Sequence, residues 1–146
     1  MKDIVEEFGN NAGKIWKELN THGPLNEKDL IKITKLSKNN IYAAIGWLAR
    51  ENKIQLENNL YILGETNLTD EIGKNAGKIW ETLEKYKEVD ISSIPKLTNI
   101  NEINVYNAIG WLAREDKIQI KKGLLNTMYF KIQLKNPPSK KNNLSF

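Results

Sequence analysis

The chain has no cysteine, which excludes disulfides and thiolate metal sites. Its single histidine, His22, provides no His/Cys ligand set, and beside Gly23 it reads as a polar helix end rather than a catalytic base. No apolar run approaches membrane-spanning length, and Met1–Glu7 lacks the apolar stretch of a signal peptide. No glycine-rich phosphate loop is present, because Gly9-x-x-x-Gly13 lacks both a preceding strand and a following lysine–hydroxyl pair. The acidic pairs Glu6-Glu7 and Asp70-Glu71 sit near helix N-termini, where the helix dipole favours negative charge, so they do not read as a carboxylate dyad. The expectation is a soluble cytoplasmic protein with no membrane insertion, no cofactor, no metal and no enzymatic chemistry. Such a protein works by binding.

Excess charge of one sign is also scarce. Residues 1–66 hold nine Lys/Arg against nine Asp/Glu, and residues 67–135 hold eleven against nine. Lys140 and Lys141 supply the rest of the net +4. By this count the first half is neutral and the positive excess lies in the second. That balance permits a nucleic-acid partner without requiring one.

What is present is a repeat. Gly9-Asn-Asn-Ala-Gly-Lys-Ile-Trp16 returns as Gly73-Lys-Asn-Ala-Gly-Lys-Ile-Trp80, and Ile41–Glu51 returns as Val105–Glu115, both at an offset of 64. Aligning Gly9–Gln55 with Gly73–Gln119 gives 23 identities in 47 positions without a gap. The chain is an internal duplication.

Each copy has the same pattern. Ile15, Trp16 and Leu19 share one face of a first helix from about Asn11 to His22. Gly23-Pro24 ends it, and Leu25 opens a short extended stretch. Asn26 caps a helix of about Glu27–Thr34, and Ser37 caps a third that runs to about Glu51. Lys53–Glu57 and Leu60–Leu63 then alternate around Asn58-Asn59, the signature of a β-hairpin. The second hairpin pairs Ile118–Ile120 with Met128–Ile132 around Gly123. Three helices and a hairpin make a winged helix. The fold expected is mainly α with small β-hairpins (α+β): two tandem winged helix-turn-helix units at 1–64 and 65–135, with a flexible basic tail at 136–146.

Asp29–Ile45 resembles the general helix-turn-helix pattern position by position, with Leu30 and Ile33 packing inward, Leu36 plugging the turn and Ile41, Ile45 and Leu48 buried. It departs at the turn, where Lys35 and Asn99 stand in place of the usual Gly; Lys35 implies a turn slightly longer or strained. The motifs Asn-Ala-Gly-Lys-Ile-Trp and Gly-Trp-Leu-Ala-Arg-Glu, each present twice, resemble a small bacterial and archaeal winged helix-turn-helix family of unestablished function. The resemblance implies DNA binding by analogy of fold.

Burying Ile41, Ile45 and Leu48 places Asn39, Ala43, Gly46 and Arg50 at an outward pole flanked by Tyr42 and Trp47. In the second copy the pole is Ile103, Asn107, Gly110 and Arg114, flanked by Tyr106 and Trp111. Such a face enters the major groove in DNA-binding winged helices. The candidate nucleic-acid residues are therefore Lys38, Asn39, Asn40, Tyr42, Arg50, Tyr106, Asn107 and Arg114, with Lys121 and Lys122 of the second wing on phosphate. Against this, the pole is smooth at Gly46 and Gly110, Glu102 replaces Lys38, and the first wing has no cation at its tip. Gly46, Trp47, Gly110 and Trp111 accordingly form a candidate partner interface. Trp16 and Trp80 are expected as partly buried core anchors, and Gly13 and Gly77 as sites of close packing against the third helix or a neighbouring subunit.

The leading expectation is a regulatory or chromosome-associated protein that binds double-stranded DNA, with homodimerisation open. The competing expectations are a protein-interaction module, as in the tandem winged helices of ESCRT-type complexes and SMC partners, and an RNA- or ribosome-bound protein.

Overall fold

In the computed structural model, residues 3–122 and 130–135 are described. The first unit comprises α1 (Ile4–His22), α2 (Glu27–Thr34), α3 (Lys38–Arg50) and the antiparallel strands β1 (Ile54–Glu57) and β2 (Leu60–Leu63). Asn58 and Asn59 both take positive φ, 51° and 65°, as a two-residue hairpin turn requires. α1 begins seven residues before the expected Asn11 (11 − 4), because the Asp3 side chain accepts from the Val5 N–H and caps the helix there. Asn26 caps α2 in a reciprocal capping box with Asp29, and Ser37 caps α3 by accepting from the Asn40 N–H.

The second unit repeats this with α4 (Thr69–Tyr86), β3 (Glu88–Asp90), a 3₁₀ turn (Ile91–Ser93), α5 (Ile94–Thr98), α6 (Glu102–Arg114), β4 (Ile118–Lys122) and β5 (Phe130–Leu134). Its sheet has three strands in the order β3-β5-β4, whereas the first unit keeps only the Leu25–Tyr61 bridge at the matching place. α5 is shorter than α2 because the capping asparagine has become Asp90, which makes no side-chain cap, and Pro95 fixes the helix start. Lys35 at φ 62° and Asn99 at φ 60° adopt the same left-handed turn, so the expected difference between the two turns does not arise. The turn at Gly123 and the tail 136–146 lie outside the described residues.

The two units are not separate beads. Their most extensive contact is α3 against α6. At the crossing, a Cβ on Gly46 would stand 1.8 Å from the Asn107 carbonyl oxygen, and a Cβ on Gly110 would stand 1.8 Å from the Ala43 oxygen. The contact is isologous, since Ala43 and Gly46 correspond to Asn107 and Gly110 across the repeat, and the units are related by a pseudo-two-fold. The cores are exchanged in the same sense. Phe8 of α1 is buried in the second unit's core, and Ile72 of α4 in the first unit's. The connection between the units is tied down too: Asn67 bonds both the N–H and the carbonyl of Leu56, and the Asn52 side chain accepts from the Thr66 N–H.

Candidate nucleic-acid interface

The centre of the outward pole expected on the third helices is not outward, although its ends, Arg50, Ile103 and Arg114, are exposed. From Ile41 to Ala49 no residue is charged, and every one is buried except the half-buried Trp47. A helix that is apolar all round is buried all round, and here the second face is covered by the other copy of the same helix. Ala43, Gly46 and Gly110 are sealed in the crossing. Asn107 does not face a groove: its Nδ2 donates 2.8 Å to the Tyr42 carbonyl oxygen across the seam.

The flanking side chains are also engaged. Tyr42 is buried and donates its hydroxyl to Glu27 at 2.8 Å, and burial together with that carboxylate pushes its pKa up to about 12. Arg50 bonds Glu115 at 3.0 Å, and Arg114 bonds Glu51 at 2.9 Å, mirror images through the repeat. Each guanidinium also lies over the other unit's tryptophan, Arg50 over Trp111 at 5.7 Å and Arg114 over Trp47 at 6.0 Å. Lys53 and Lys117 approach the far oxygens of Glu51 and Glu115 at 3.5 and 3.3 Å. Gly46, Trp47, Gly110 and Trp111 therefore lie between the two units of one chain.

Of the remaining expected residues, Asn39 and Asn40 are half-buried at the start of α3, and Tyr106 is half-buried with its pKa raised by burial and by Glu102. Lys121 pairs with Glu88 at 3.1 Å. Lys38 and Lys122 are exposed and have no ion pair among the described residues.

The structure draws attention to lysines that charge counting passed over. Lys28 and Lys32 fall at i and i+4 on one face of α2, Lys35 is its left-handed C-cap, and Lys38 is the first residue of α3. All four are exposed and unpaired among the described residues, whereas the arginines are held in the seam. The corresponding positions in the second unit are Ser92, Lys96, Asn99 and Glu102, so the run belongs to the first unit alone. A sum of charges concealed it, because it sets these lysines against carboxylates that are already engaged, among them Glu27 on the Tyr42 hydroxyl and Asp29 in the capping box of the same helix. The spacing itself was readable in the sequence.

Two helical glycines do not pack against the third helix. Gly13 and Gly77 are exposed, with nothing within 4 Å of an added Cβ, so close packing within the chain does not explain them. Trp16, one turn on from Gly13, is 39% exposed and outside both cores, while Trp80 is the partly buried core anchor expected of it. Among the described residues no helix is long and apolar enough to cross a membrane, and no cluster of three or more His, Cys, Asp or Glu could hold a metal ion.

A family model described as winged helix-turn-helix domain (DUF2582) matches residues 1–63 and again residues 67–130. No curated protein and no solved structure gives a significant match.

Proposed function

This chain belongs to the winged helix-turn-helix domain family, in two copies, and we propose on that premise that it is a non-enzymatic regulatory protein that holds duplex DNA by its phosphate backbone. The family's fold suggests a nucleic-acid-binding or regulatory role. The observation that carries the finer reading is the run of exposed lysines Lys28, Lys32, Lys35 and Lys38 along α2, its turn and the start of α3 in the first unit. Contact through that run leaves the α3–α6 seam intact. It is a backbone contact with no base edge in reach of the sealed pole, so it positions the protein on a duplex without reading sequence. Lys122 of the second wing is a further exposed cation for the same phosphates.

The test is fluorescence anisotropy on a random 30-base-pair duplex at about 50 and 200 mM salt, the range in which counterion release is visible. Four phosphate contacts give a log–log salt slope of about −3 to −4. Replacing Lys32 and Lys38 by Glu should weaken binding at least about tenfold and flatten the slope. Absence of binding at the lower salt, or binding indifferent to these substitutions, would overturn the reading.

A second reading, self-association through the α1 surface, is favoured by one observation: Trp16 and Gly13 are exposed together. Sedimentation equilibrium that finds monomer at every concentration would remove it.

A further inference from the structure

A cavity of about 210 Å³ lies between the two units. Phe8 reaches it from α1, Ile91 from the 3₁₀ turn, and Ile120 and Phe130 from the second wing, so most of its wall is apolar. Its polar side is formed by Asn39 and Asn40 at the start of α3 and by Tyr106 of α6. Among the described residues, the Tyr106 phenol is the only ionisable side chain in the lining.

The duplication provides an internal control. Tyr42 is the same tyrosine in the first unit, and its hydroxyl is satisfied by Glu27 at 2.8 Å. At the position of Glu27 the second unit has Ile91. The Tyr106 hydroxyl thus loses its acceptor and has no hydrogen bond among the described residues, although burial raises its pKa. Tyr42 is buried, whereas Tyr106 remains half-buried beside open volume. In one copy the tyrosine hydroxyl is held by the protein's own carboxylate. In the other it lies beside open volume with no acceptor among the described residues.

We propose that this cavity binds a small uncharged planar molecule bearing a carboxamide-like edge. Its ring packs among Phe8, Ile91, Ile120 and Phe130, its carbonyl accepts the Tyr106 hydroxyl, and its N–H group donates to the side-chain oxygens of Asn39 or Asn40. The neutral class follows from the wall: no cation lines the cavity among the described residues to offset the desolvation of a carboxylate, and the field of Glu102 on Tyr106 disfavours an anion. Such pockets, apolar with a few convergent polar groups, are the usual form of small-molecule sites. The proposal is independent of the nucleic-acid reading, since the run of lysines does not line the cavity.

The test uses the full chain labelled with ¹⁵N and titrated with benzamide to about 10 mM, a range suited to so small a ligand. Saturable shifts centred on Asn39, Asn40 and Tyr106 are expected, with benzoate at least about tenfold weaker. Tyr106→Phe, which removes only the hydroxyl, should weaken benzamide about tenfold. Ile91→Glu, which copies the Glu27 acceptor, should abolish binding. Absence of saturable shifts, shifts centred elsewhere, benzoate binding as tightly as benzamide, or affinity unchanged in Tyr106→Phe would each overturn the proposal.

Discussion

Gly46 lies against the backbone of Asn107 so closely that a Cβ would sit 1.8 Å from the carbonyl oxygen. The obstacle is backbone on backbone, which cannot swing aside as a side-chain tip can. Its mirror, Gly110 on Ala43, means that the two units meet only because both helices are bare at that point.

Gly46→Ala or Gly110→Ala should therefore destabilise the protein by about 3 kcal/mol despite the better helix propensity of alanine. Urea denaturation measures this directly. A loss below about 0.5 kcal/mol would mean that the helices do not cross there in solution.

The opposite sign is expected at Gly13 and Gly77. Neither has a neighbour within 4 Å of an added Cβ, so alanine gains helix propensity and encounters no clash. Each substitution should stabilise by about 0.5–1 kcal/mol in the same assay. Destabilisation would reveal a packed surface over the glycine.

The mirrored pairs Arg50–Glu115 and Arg114–Glu51 set register more than stability. Both arginine side chains are 46% exposed, and pairs so exposed are worth about 0.2–1 kcal/mol. A double-mutant cycle with Arg50→Ala and Glu115→Ala should give a coupling in that range, falling as salt rises. A coupling above about 2 kcal/mol would contradict the exposed geometry.

Tyr42 and Tyr61 have pKa values pushed up to about 12, by burial first and then by Glu27. A raised tyrosine pKa means that the folded state holds its proton more tightly than the unfolded state, whose tyrosines ionise near 10. Stability is then unaffected below about pH 10 and falls as pH rises from about 10 towards 12. Absorbance at the phenolate band, followed together with circular dichroism, should show these two tyrosines ionising late and together with unfolding. Ionisation near pH 10 in a fully folded chain would contradict the burial.

Much of the fold was legible locally. The capping side chains of Asn26 and Ser37, the Asn58-Asn59 turn and the apolar spacing of Ile41, Ile45 and Leu48 act within a few residues of chain, so their outcome is written there. The sealed pole was misread for a physical reason. Periodicity asks which face of α3 is most apolar and assigns the rest to solvent, yet Tyr42, Ala43, Gly46 and Trp47 leave no polar face to expose. Lys28, Lys32 and Lys35 went unnoticed beside Lys38 because a net charge sums over space.

By itself the sequence determined the duplication, the helix-turn-helix elements and their order, since caps, turns and hydrophobic period are local properties of the chain. Only the tertiary structure decided that α3 and α6 cover each other, that Phe8 and Ile72 cross into each other's units, and that Tyr106 was left beside a cavity while Tyr42 was not. Those outcomes depend on surfaces brought together from 64 residues apart, where Glu27 holds the Tyr42 hydroxyl in the first unit and Ile91 stands at the matching position beside Tyr106 in the second.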